Sequence, residues 1–276
     1  SGYDLIHLFV GSEGTLGVIT EVTLRLRIVP EKMAAVAVFP SMETAAQTIF
    51  DINRYGPAPA AIELMDPQIV SYVNRWKEMS LEEAPTLVME FHGTPAGIQE
   101  EVTLIEETCR DNGCLRFDKG VTGSERDRLW AGRREAHNAV KYLNTDHIVE
   151  IGDIVMPISK YPAAVAKAYE LAEELNVSIA TFGHAGDGNL HIEILSRKGD
   201  PDDHARAEEF NERIVLYAIS VGGTATGEHG VGIGKRKFMS QEHGASLEVM
   251  RRIKKLLDPN GIMNPGKIFL AEAVEA

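Results

Sequence analysis

The sequence predicts an α+β protein made of a duplicated ferredoxin-like unit, β-α-β-β-α-β, with an antiparallel sheet. Three observations carry this expectation. Strand-like and helix-like apolar periodicities follow one another in the same order twice, over about residues 30–118 and again over 148–226. A strong hairpin signal, Asp187-Gly188 between alternating apolar runs, lies in the second pass. Helix caps stand where the pattern needs them, Ser41 before one helix and Gly113 after another.

Taken in order, residues 5–10 are apolar and lead into Gly11-Ser-Glu-Gly-Thr-Leu-Gly17. Val22, Leu24, Leu26 and Ile28 then alternate with Glu21, Thr23, Arg25 and Arg27, a strand with one buried face, and Pro30 closes the segment. In the first pass residues 33–39 read as a strand, 42–54 as a helix, 60–64 and 86–91 as strands, 96–112 as a helix and 114–117 as a short strand. Residues 119–147 link the passes and contain Trp130-Ala-Gly-Arg-Arg-Glu135 in a helical context. The second pass reads as strand 148–156, helix 162–175, the two hairpin strands, helix 204–220 and strand 224–226. Ala207, Phe210, Ile214 and Tyr217 give its last helix one apolar stripe, which is core. A segment over 227–276 follows, with an amphipathic helix at 246–257 and then Asp258-Pro-Asn-Gly-Ile-Met-Asn-Pro-Gly-Lys267.

The hairpin concentrates the chemistry. A tight turn at Asp187-Gly188 sets His184 against His191, and directly opposed residues have Cβ atoms about 4.5 to 5.5 Å apart on one face. Phe182 and Glu193 share that face, while Ile179, Thr181, Ile192 and Ile194 point to a helix layer. Two imidazoles so placed can share a metal ion; they are also compatible with a solvated face that binds nothing. Gly227-Glu-His-Gly230 adds a carboxylate, Glu228, and another imidazole, His229, each beside a glycine where the backbone can approach a ligand. Two histidines and a carboxylate would leave open coordination positions, as catalytic metal sites require.

Composition narrows the partners. The 276 residues carry 28 basic and 41 acidic side chains, a net charge of −13, which disfavours nucleic acid and anionic membrane. Two cysteines, Cys109 and Cys114, form no disulfide framework, so a reducing, cytoplasmic setting is the default. No apolar run approaches the ~20 residues of a transmembrane helix. Ser1-Gly2-Tyr3-Asp4 has no initiator methionine and runs straight into apolar sequence, the pattern expected of a piece of a longer polypeptide.

Four motifs together resemble one family. Gly11-Ser-Glu-Gly-Thr-Leu-Gly17, Gly183-His-Ala-Gly-Asp-Gly-Asn-Leu-His191, Gly227-Glu-His-Gly-Val-Gly232 and Asn264-Pro-Gly-Lys267 stand in the order and spacing of FAD-linked oxidases of the glycolate oxidase GlcD and D-lactate dehydrogenase type, in the vanillyl-alcohol oxidase superfamily. The resemblance implies that residues 1–29 are the C-terminal end of an FAD-binding domain and 30–276 the substrate, or cap, domain. It implies that Gly11, Ser12, Glu13, Gly14, Thr15 and Gly17 touch FAD, with Asn264 near its isoalloxazine ring. It further implies that His184, His191 and Glu228 bind a divalent metal (Zn, Mn or Fe), that His229 is the base, that Arg134 binds a carboxylate, and that Lys235 serves the same site. The implied partners are a D-2-hydroxy acid, the remainder of the FAD-binding domain, and an electron acceptor such as a quinone or electron-transfer flavoprotein. A peripheral inner-membrane location and a homodimer are compatible with these.

Plainer roles stand beside these. Glu228 and His229 can pair within their loop, Arg133-Arg134-Glu135 can be a solvated charge run, and Asn264-Pro-Gly is an ordinary turn signal. Lys235 follows Gly230-Val-Gly-Ile-Gly234, which fails the Walker pattern because His229 and Arg236 occupy key positions. The alternative function is a metal-binding domain that acts without flavin, as a hydrolase or a non-catalytic subunit.

Overall fold

A computed structural model describes residues 2–121 and 123–270. The chain divides into two units, residues 29–223 and residues 1–28 with 224–276. The second unit opens with the short helix α1 (Leu5–Phe9), capped by the Asp4 carboxylate, which accepts from the His7 amide at 3.2 Å.

In the larger unit the elements run β1 (Glu31–Val38), α2 (Met42–Tyr55), β2 (Ala61–Met65), α3 (Pro67–Lys77), β3 (Thr86–Gly93), α4 (Pro95–Asp111) and β4 (Arg116–Val121). They continue as α5 (Gly123–Arg134), α6 (Ala136–Leu143), β5 (His147–Val155), α7 (Tyr161–Leu175), β6 (Ser178–Gly183), β7 (Asn189–Arg197) and α8 (Pro201–Ser220). The smaller unit closes with α9 (Met239–His243) and α10 (Ser246–Leu257). Among the described residues, no helix is long and apolar enough to cross a membrane.

Local sequence explains most boundaries. Ser41 Oγ accepts from the Thr44 amide to start α2. Helix α4 ends in a Schellman motif, with Gly113 at φ +78, its amide on Arg110 O, and the Cys114 amide on Cys109 O. Asp66 and Pro67 give α3 a cap and an N1 proline, a start signal the periodicity reading left unassigned.

The strands form one antiparallel sheet in the order β4-β1-β3-β2-β6-β7-β5. Helices α2, α4, α7 and α8 cover one face. On the other face Met65, Val88, Ala180 and Phe182 pack with Ile69, Val70 and Val73 of α3, Leu129 of α5, and Ala136 and Val140 of α6. Because side chains alternate across a strand, Glu63, Phe182, His191, Glu193 and Asp153 all fall on this second face.

Three expectations need correction. Residues 224–226 form no strand; only Thr224 carries a bridge, so the second pass stops short of its sixth element. Residues 17–30 carry no strand either, and Val22, Leu24, Leu26 and Ile28 are 65–95% exposed. Alternation makes a strand only where a neighbouring strand receives its hydrogen bonds, and among the described residues none does. The hairpin turn also differs. Ala185–Asp187 form one turn of 3-10 helix, Gly188 takes φ +76, and the register pairs Phe182, not His184, with His191.

Candidate functional site

A slip of two residues keeps every side chain on its own face, so the histidines still meet. His184, just past the end of β6, lies diagonal to His191 of β7, with ring centroids 5.5 Å apart and planes 83° to one another. The Phe182 ring lies 5.1 Å from His191.

Each imidazole has a carboxylate at Nδ1. Glu63 Oε1 of β2 is 2.6 Å from His184 Nδ1, and Asp153 Oδ1 of β5 is 3.5 Å from His191 Nδ1. Both acids are buried, as is His191. Asn189 supports the arrangement, donating from Nδ2 to Asp153 at 2.8 Å and accepting the His184 amide at 3.4 Å. Nδ1 of each ring lies toward a carboxylate, the support found behind metal-ligating histidines. The residues present therefore fit a divalent cation.

The counter-charge comes from α5. Arg133 Nε and Nη2 lie 2.9 and 2.7 Å from Glu63 Oε2, and the guanidinium stacks 4.6 Å from the Phe182 ring centroid. Both partners are under a tenth exposed. The arginine expected at this site was Arg134. Arg134 is the neighbour of Arg133 on α5, its side chain turned by about 100° and exposed.

Two further carboxylates are buried, Glu193 on the same face and Asp66 beside Thr181 and Tyr169. Glu193 accepts from His137 Nδ1 of α6 at 2.9 and 3.1 Å, and this hydrogen bond raises the imidazole above its ordinary range. Asp66 caps α3 through the Ile69 amide at 2.7 Å and also receives the Thr181 amide at 2.6 Å and the Tyr169 hydroxyl at 2.9 Å. Burial pushes Asp66 up to about 6 despite these donors. Its folded value is raised, so its stabilising contribution is complete below the unfolded value near 3.8 and is lost as pH rises through about 6. The difference in urea midpoint between the protein and Asp66→Asn is therefore expected to change between pH 4.5 and 7.5, with the protein losing more on going up. An identical pH response in both would remove Asp66 as the source.

The remaining expected residues lie in the smaller unit. In the Gly11–Gly17 loop Gly11 and Gly14 take φ +82 and +67, and Thr15 is buried, its hydroxyl donating to Ser12 O at 2.7 Å. Asn264 Nδ2 donates to Glu13 O at 2.6 Å. Glu228 Oε1 and His229 Nε2 are 3.8 Å apart, and both side chains are more than a third exposed. The Lys235 amide closes the turn on Val231 O. The loop backbone, with its positive-φ glycines at 11 and 14, suits close approach of a flavin phosphate or ring edge.

Sequence reasoning missed Glu63, Arg133, His137, Asp153 and Asn189. A signal existed for two of them: Glu63 in Ala-Ile-Glu-Leu-Met and Asp153 in Gly-Asp-Ile-Val are acids inside apolar strands.

Residues 29–268 match the family described as FAD linked oxidases, C-terminal domain. A relative from Danio rerio, "Probable D-lactate dehydrogenase, mitochondrial", is 40% identical over 98% of this chain and 54% of its own length. The "Glycolate oxidase subunit GlcD" of Bacillus subtilis is 34% identical over 99% of this chain and 58% of its own. The chain thus spans about half the length of these relatives. A solved structure of an alkyldihydroxyacetonephosphate synthase matches with a TM-score of 0.65 at 17% identity, over 96% of this chain and 49% of that one, and shares the fold. The chain belongs to the FAD linked oxidases, C-terminal domain family.

Proposed function

We propose that this chain is the substrate-binding part of an FAD-dependent enzyme that oxidises a D-2-hydroxy acid, such as glycolate or D-lactate, to the 2-oxo acid. One observation carries the reading beyond family membership: two imidazoles on one sheet face, each backed by a buried carboxylate. The scaffold is read as a duplicated ferredoxin-like unit whose second copy lacks its last strand, which the strand order β4-β1-β3-β2 of the first half supports. Residues 1–29 are read as the end of the FAD-binding domain.

When bound, FAD supplies the hydride acceptor and a divalent metal (Zn, Mn or Fe) supplies a Lewis acid for the substrate oxygens. His184, His191 and Glu228 are the residues that would hold the metal. Glu63 and Asp153 fix the orientation of the two histidines. Arg134, exposed on α5, is the residue that would bind the substrate carboxylate and supply the local positive charge an anionic substrate needs in a chain of net charge −13. Lys235 adds a second cation. His229 removes the hydroxyl proton. The Gly11–Gly17 loop and Asn264 contact the flavin. An acceptor of the quinone or electron-transfer-flavoprotein class takes the electrons, and the enzyme works in the cytoplasm or peripherally at the inner membrane.

Equilibrium dialysis of this chain against zinc and manganese, followed by elemental analysis, tests the metal. About one ion per chain is expected, with loss of at least tenfold in affinity for the His184→Ala, His191→Ala variant. Equal metal content in the two proteins would remove the histidine pair from the site.

A further inference from the structure

Three motifs of the smaller unit, separate in the sequence, converge on one residue. Glu13 takes φ +53, and its Oε1 accepts from the Val231 amide at 2.6 Å while its Oε2 accepts from the Gly232 amide at 2.9 Å. Its own carbonyl receives Asn264 Nδ2 at 2.6 Å. A Cβ on Gly230 would stand 2.8 Å from Glu13 Oε1 and φ there is +78, so a side chain at 230 would be strained and would push the carboxylate aside. Two successive amides aimed at one carboxylate make a small anion-binding nest.

Strain marks the same place. Glu13 and Asn264 are both non-glycine residues with positive φ, +53 and +40. Such residues persist where surrounding contacts impose the conformation, and they cluster at functional sites.

We infer that Glu13 is a positioning residue: it holds the 229–232 turn, and with it the His229 imidazole, in fixed relation to the Gly11–Gly17 loop and to Asn264. This rests on His229 being the base. Each oxygen of the carboxylate accepts one of the protein's own amides, so the side chain acts by holding the turn, and the loop backbone remains the part read as meeting flavin. The unit does not depend on this tie alone. Lys254 Nζ donates to Thr15 O at 2.7 Å and to Met263 O at 2.8 Å and pairs with Asp258, binding the Gly11–Gly17 loop to the segment before Asn264 from α10. A variant at Glu13 should therefore fold.

Glu13→Gln is the informative change, because its amide offers one acceptor and turns an NH2 toward the second backbone donor. In this chain the Val231 and Gly232 amides are expected to exchange with deuterium about tenfold faster or more in the variant. The Met263 amide, held by Asp258 at 2.9 Å, should be unchanged. Equal exchange at Val231 and Gly232 would overturn the inference.

In the FAD-loaded holoenzyme, Glu13→Gln is expected to lower kcat for 2-hydroxy-acid oxidation by about ten- to a hundredfold, with KM within about threefold and FAD content retained, as for a misplaced catalytic group. Glu13→Asp, which keeps two acceptor oxygens, should recover part of that loss. Unchanged kcat, or a loss that follows FAD loss without recovery in the aspartate variant, would overturn the positioning role. A wild-type holoenzyme that no 2-hydroxy acid reduces would instead sink the functional reading, and the exchange result would still decide the tie.

Discussion

Replacing Arg133 with alanine is expected to destabilise the sheet unit by about 3 to 5 kcal/mol, the range for a buried ion pair stripped of one partner. Arg133 and Glu63 are 8% and 6% exposed, so the carboxylate left behind has little water to replace the guanidinium. The change also removes the cation from the Phe182 ring, 4.6 Å away, and leaves a void beside α5. Glu63→Gln strands the Arg133 charge in turn, although the Gln amide oxygen can still accept from the guanidinium, so it too should destabilise. A double variant, Glu63→Gln with Arg133→Leu, should recover most of the stability lost in Arg133→Ala, since a neutral pair strands no charge. Urea unfolding of these proteins measures this, and adding the single variant Arg133→Leu closes the cycle that gives the coupling. A cost below about 1 kcal/mol for Arg133→Ala would show that the pair behaves as an exposed one.

That pair also shows where sequence reading stops. The face carried by each hairpin residue was legible because strand parity survives a two-residue slip; the register was not, because it depends on a 3-10 turn with Gly188 at positive φ in place of a two-residue turn. The helices were legible wherever caps such as Ser41 and Gly113 framed an apolar stripe. Glu63 and Arg133 are 70 positions apart and reach His184 only through the pairing of β2 with β6 and the seating of α5 on the sheet. No local pattern encodes that meeting. Residues 17–30 show the converse, a correct strand pattern without a strand, because pairing is a property of two segments.

Replacing His229 with alanine is expected to slow reduction of the FAD-loaded enzyme by its 2-hydroxy acid by about 10²- to 10⁴-fold while leaving metal content unchanged. The imidazoles stand in two different environments. His191 is buried with Asp153 beside it, and His184 hydrogen-bonds to Glu63, so both are held as ligands are held. The His229 side chain is 37% exposed, beside a Glu228 carboxylate 3.8 Å away, and sits on a glycine-flanked turn. An imidazole that must gain and release a proton in each turnover needs such an outlet to water or substrate. Anaerobic mixing of enzyme and substrate, followed by flavin absorbance, measures the step, and elemental analysis of the same samples measures the metal. A variant that loses metal and rate together would make His229 a ligand. A variant that keeps both would leave the proton to Lys235 or to water, and the Glu13 tie would then serve another member of the loop.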